Sequence, residues 1–160
     1  MTKSMITKIC TTCSALAAVA VLAAASQAQT SCNTQTINGA YASLANEWIG
    51  KTPPYTVLAA VRHTLFDGVK NFTSTGYLSN SGTIAFFTLD GTYTVAADCT
   101  ITATGVPVIN GVTGAPANFF GVIAADSNKI YQIRIDPATA TTGNTETLVF
   151  ERVVSNQNVQ

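Results

Sequence analysis

His63 and Glu47 are the side chains of this sequence best suited to proton transfer, and Cys32 and Cys99 are the ones suited to thiol chemistry. His63 is the single histidine and alternates with Val57, Ala59, Val61 and Leu65, so it shares an apolar face. The plain expectation is a core histidine hydrogen-bonded to a neighbour; the sharper one is a polar anchor inside a cavity. A zinc site is disfavoured, because zinc needs several convergent nitrogen or sulfur ligands and no second histidine exists. A serine nucleophile has no Gly-x-Ser-x-Gly elbow to nominate it.

Glu47 precedes Trp48. Pointing inward, it would be a buried carboxylate with a raised pKa, as a general acid needs. Pointing outward, it would be solvated and Trp48 would pack inside, which is the arrangement expected here. Arg62 and Arg134 are expected to form structural ion pairs rather than anion sites. Asp90, Asp98, Asp126 and Asp136 are scattered singly, without the spacing of a calcium loop. No phosphate loop or dinucleotide fingerprint is present, and no cofactor is expected. What remains is aromatic surface. Tyr41, Tyr77, Phe87 and Tyr93, with His63, are nominated as the lining of a cavity for a small apolar molecule, since ligand pockets are mostly apolar with a few fixed polar groups.

The elements that would position these residues are strands. Helical periodicity is absent, while period-two alternation and turn dipeptides recur. Ala40–Ile49 reads as a first strand, with Ala42, Leu44 and Trp48 on one face and Tyr41, Ser43, Ala45 and Glu47 on the other. Lys51-Thr52-Pro53-Pro54 ends it. Tyr55–Phe66 and Val69–Leu78 make a hairpin about Asp67-Gly68. Thr83–Leu89, a turn or bulge at Asp90-Gly91, Thr92–Ala96 and Thr100–Thr104 follow. Gly105–Ala117 reads as a loop with a short edge piece at Val106–Ile109. Asn118–Ala124 and Ile130–Asp136 form another hairpin, Ala138–Asn144 is a loop and Glu146–Val154 is the last strand. The prediction is an all-β antiparallel meander of about eight strands. A closed barrel is preferred to a sandwich, because closure removes exposed edges. An outer-membrane barrel is set aside, since it would need longer strands and aromatic girdles.

Residues 1–28 read as a cleaved signal peptide: Lys3 and Lys8, an apolar run at Ala15–Ala25, and small residues at Ser26 and Ala28. Residues 29–154 are then one domain and 155–160 a polar tail. Beyond Ala28 there are six basic and eight acidic residues, a net charge of −2 without a basic cluster, which argues against nucleic acid and against anionic membrane surfaces; no other segment could span a membrane as a helix, so no membrane insertion is expected. Export to the periplasm or medium makes a Cys32–Cys99 disulfide the default.

Gly91-Thr-Tyr-Thr-Val-Ala-Ala-Asp-Cys-Thr100, together with Ile37-Asn38-Gly39-Ala40-Tyr41 and Ile133-Arg134-Ile135-Asp136-Pro137, resembles a group of small exported bacterial proteins of unassigned function. Ile101 departs from that pattern, which usually has Gly there. The resemblance implies no catalytic residue. By architecture the chain looks like the calycin-type barrels, such as lipocalins and avidins, or the allene oxide cyclase and dirigent barrels. The expected function is an exported, non-enzymatic barrel binding a small, largely apolar molecule. The alternatives are a small cyclase or isomerase using the same cavity, and a cell-surface structural or interaction module. The sequence does not specify an oligomeric state.

Overall fold

The expected alternation is present on every long strand, and it closes on itself. The computed structural model describes residues 31–50, 54–136 and 144–153. The strands are β1 (Gly39–Ile49), β2 (Thr56–Phe66), β3 (Asn71–Asn80), β4 (Thr83–Val95), β5 (Thr100–Ile109), β6 (Val112–Thr113), β7 (Ala117–Ile123), β8 (Lys129–Arg134) and β9 (Asn144–Arg152). Each strand up to β6 pairs antiparallel with the next, as do β7, β8 and β9; β9 returns to β1, and β7 pairs past the two-residue β6 onto β5. The result is an eight-stranded closed barrel with β6 as a short flap. The predicted leader, Lys51–Pro53, most of the 138–144 loop and the C-terminal tail lie outside the described residues. Among the described residues no helix is long and apolar enough to cross a membrane.

Two expectations about strands change. Asp90-Gly91 is neither turn nor bulge: β4 runs unbroken through it, because Gly91 pairs with Gly105 and the bare position admits the Phe72 ring. A Cβ on Gly91 would stand 2.0 Å from the Thr104 carbonyl oxygen. The 105–117 loop is also mostly strand. β5 continues to Ile109, and Asn110-Gly111, both at positive φ, turn it into β6.

The faces of β1 and β2 are the reverse of those expected. Phe66 is the hub of the core, touching Tyr41 (5.6 Å between ring centroids), Tyr93 (5.1 Å), Phe72 (5.9 Å) and Phe150 (6.1 Å). With Phe66 inward, alternation forces Thr64, Arg62 and Ala60 inward and His63, Val61 and Val57 outward. Register then turns Tyr41, Ser43, Ala45 and Glu47 inward on β1. Trp48 is accordingly 46% exposed and Glu47 only 6%. His63 is exposed on the outer wall, so it is neither a core residue nor a cavity anchor.

The two ends of the barrel differ. At the closed end the segment before β1 forms a stopper. A 3-10 turn at Thr34–Ile37, capped by Asn33, presses Ile37 into the core, where it is fully buried. Gln35 Nε2 donates to the Gly68 carbonyl (2.8 Å), and Arg152 donates to the carbonyls of Asn38 (2.7 Å) and Thr36 (3.1 Å) while lying over the Tyr41 ring. The disulfide between Cys32 and Cys99, with Cα atoms 4.9 Å apart, ties this stopper to the β4–β5 hairpin.

The β2–β3 hairpin beside the stopper is built on Asp67. Its Oδ1 accepts from the backbone N–H groups of Val69, Lys70 and Asn71 at 2.8–2.9 Å, and Oδ2 accepts from Asn71 Nδ2 at 2.7 Å. Desolvation, which would raise the Asp67 carboxyl, is outweighed by those donors, and its pKa falls from 3.8 to about 2. A depressed acid stabilises the fold above its unfolded pKa and loses that contribution as pH falls through the folded one. Urea midpoints of the protein and of Asp67→Ala should therefore differ fully at neutral pH and converge as pH drops from about 4 to about 2. A gap that stayed constant through that window would show that the carboxylate charge is not what holds the turn.

Candidate functional site at the barrel mouth

Side chains fill the middle of the barrel. A void of only about 10 Å³ remains there, bordered by Arg62, Thr64, Ser74 and Gln132. That is the size of a single water molecule. The Thr64 and Ser74 hydroxyls bond each other at 2.7 Å, while Gln132 Nε2 has no partner among the described residues. The interior offers larger space at the open end, a cleft of about 100 Å³. Leu58, Leu78, Phe87, Pro107 and Ile109 form its walls, and Glu47, Glu146 and Arg134 stand on its other side.

Those charges follow from register. Glu47 on β1 lies directly opposite Glu146 on β9, so two carboxylates point inward side by side. Such a pair is unfavourable alone. Two arginines relieve it. Arg62 Nη2 donates to Glu146 Oε1 at 3.0 Å, and Arg134 Nη1 donates to Glu47 Oε1 at 3.0 Å. Arg62 Nε also donates to Ser43 Oγ at 3.2 Å, and its guanidinium lies 5.9 and 5.7 Å from the centroids of Phe87 and Phe150. Arg134 Nε makes a further, close contact with Asp136, which accepts from the backbone and side-chain nitrogens of Asn118 at 2.7 and 2.9 Å. Burial pushes the Glu47 carboxyl up and the Glu146 charge adds to that, against the pull of Arg134 and Arg62. Burial, which would also raise Asp136, is outweighed there by Arg134 and Asn118, and that carboxyl sits below its usual range.

The chain matches no family model, no curated protein and no solved structure. The closed eight-stranded antiparallel barrel is consistent with a calycin-like architecture. The family suggested by the hairpin motif finds no support in these comparisons.

The five residues nominated as a cavity lining are not brought together. Phe87 lines the mouth cleft. Tyr41 and Tyr93 are buried at the closed end, with Tyr41 Oη donating to the Ser127 carbonyl (2.9 Å) and Tyr93 Oη to that of Thr34 (3.4 Å). His63 and Tyr77 are on the outer wall. Arg62 and Arg134 do form the expected ion pairs, with Arg62 buried deep inside the barrel. Glu146 was not anticipated. It shares parity with Leu148 and Phe150, and that alternation was the available signal.

Proposed function

We propose that this protein is an exported, non-enzymatic barrel that binds a small, largely apolar molecule at its mouth. The observation that carries this reading is the apolar cleft between Leu78, Phe87 and Ile109, backed by the Glu47–Arg134 pair. Its size sets the ligand class. A cavity of about 150 Å³ takes a benzene ring, so a cleft of about 100 Å³ takes a group no larger than a small ring or short alkyl chain, with the rest of the molecule outside. A hydroxyl or similar donor on that group would meet the Glu47 and Glu146 carboxylates. A lipocalin-like ligand enclosed in the barrel centre has no room. The cyclase alternative draws less support, since Glu47 is engaged by Arg134 and His63 faces outward. The disulfide accords with export.

Titrating 1-butanol into labelled protein and recording amide shifts tests this. The shifts should saturate and cluster at Leu78, Phe87 and Ile109. They should disappear in Ile109→Trp, which covers the cleft from the partly exposed rim and should keep a wild-type far-UV spectrum. Shifts that never saturate, or that survive in the variant, would remove the mouth as the binding site.

A further inference from the structure

The charges at the barrel mouth do not balance. Three carboxyl groups, on Glu47, Glu146 and Asp136, share two guanidiniums, on Arg62 and Arg134. With all five ionised, one negative charge is in excess. The hydrogen bonds are uneven too. Glu47 and Glu146 each accept through Oε1, and neither Oε2 accepts from a donor among the described residues. Both side chains line the cleft, and they are 8% and 9% exposed. An ionised carboxylate has about four lone-pair sites, and a buried acceptor left empty is costly. The opposite wall supplies no donor: β3, β4, β5 and β7 add only apolar side chains to the lining.

We propose that the ligand of this cleft carries a primary ammonium group on a short alkyl chain or small ring. The inference rests on the mouth being the binding site, and it adds the head group. An ammonium has three hydrogens to donate, enough for both free carboxylate oxygens with one left toward the opening, whereas a hydroxyl has a single hydrogen. A carboxylate ligand would bring a fourth negative charge against two positive ones. A hard metal cation takes six or more oxygen ligands, and the described residues contain no group of three or more side chains able to hold one. The tail then lies against Leu78, Phe87 and Ile109, where about 100 Å³ keeps it short. Titration of Glu47 fits the same arrangement. Burial and the Glu146 charge hold its carboxyl above the ordinary range, against the pull of Arg134 and Arg62, and Asp136 lies beyond Arg134. A proton on Glu47 is one way to cancel the surplus charge. A bound ammonium is the other, and it releases that proton to solvent.

Titrations of n-butylammonium, 1-butanol and butyrate, which differ in the head group, test the proposal through the amide shifts of Leu78, Phe87 and Ile109. Phosphate buffer at constant ionic strength keeps competing amines out. At neutral pH n-butylammonium should bind about tenfold more tightly than 1-butanol, the ratio expected when a charge-assisted hydrogen bond replaces a neutral one. Butyrate should bind more weakly than either. Glu47→Gln keeps the side-chain shape and removes the charge, so it should bring the ammonium and alcohol affinities together. The wild-type protein gives a second readout without any variant. The same ratio should fall as pH is lowered and Glu47 takes up its proton, while the amine, which titrates near pH 10, stays charged. Nα-acetyl-lysine methylamide separates two sources of this head group. Binding weaker than that of n-butylammonium supports a free amine, and tighter binding supports the same ammonium on a lysine side chain. An ammonium no tighter than 1-butanol overturns the proposal and leaves the mouth as a binding site. So does a preference that survives both Glu47→Gln and low pH. If neither n-butylammonium nor 1-butanol gives saturating shifts, the mouth reading and this proposal fall together.

Discussion

Arg62→Ala is expected to cost the barrel about 3–5 kcal/mol, the usual penalty for removing one member of a buried ion pair. The side chains of Arg62 and Glu146 are 4% and 9% exposed. Without the guanidinium, Glu146 is left buried and without its ion-pair partner beside Glu47, its register partner, and Arg134 is left to face both carboxyl groups. The truncation also empties the space between Phe87 and Phe150 and removes the donor that Ser43 accepts from. The double variant Arg62→Leu/Glu146→Leu should behave differently. It removes both charges and restores apolar volume, and replacements of that kind are commonly neutral or stabilising. Urea unfolding followed by far-UV circular dichroism distinguishes the two. If the single variant loses less than about 1 kcal/mol, a figure typical of solvent-exposed pairs, then the pair is not buried in solution.

That contrast explains why the strand architecture was legible in the sequence while the faces of two strands were not. Alternation and turn chemistry are local, so the hairpin at Asp67 and the run of β2 to Phe66 could be read directly. The inward face of β2 could not. Its outer face carries Val57, Val61 and Leu65, and its inner face carries Arg62 and Thr64, so hydrophobicity alone points the wrong way. What makes an inward Arg62 tolerable is Glu146, 84 residues away, and what makes an inward Glu47 tolerable is Arg134, 87 residues away. Such partners become visible only once the closure of β9 onto β1 is known. The breaks misread at Asp90-Gly91 and along 105–117 have a related cause. A glycine reads as a stop, yet at Gly91 the missing side chain is what lets β4 and β5 approach over Phe72. In the second stretch Asn110-Gly111 carried a hairpin signal that the surrounding glycine and proline obscured.

The disulfide should prove about as important as the buried pair. The bond closes 67 residues of chain, and the chain-entropy model assigns about 4 kcal/mol to a loop of that length. That is a large share of the 5–15 kcal/mol typical of a domain, and it corresponds to a fall in Tm of about 10–20 °C. The double variant Cys32→Ala/Cys99→Ala reports the cross-link cleanly. Cys99 has φ 67°, and alanine is as strained there as cysteine, so backbone strain is unchanged. The loss should also have a location. Cys32 N–H bonds the Ala97 carbonyl at 3.2 Å, and together with the disulfide this holds the stopper that buries Ile37 and receives Arg152. Amide exchange should therefore accelerate first at Ile37 and Asn38 and at the Gly68 turn that Gln35 grips, well before the mouth strands open. Ile37→Ala, with the bond intact, separates packing from tethering: it should cost about 2–5 kcal/mol without a local rise in exchange at Cys32. If the double alanine variant instead loses stability uniformly, with Ile37 exchanging only through global unfolding, the bond acts on the unfolded chain alone and does not brace the stopper.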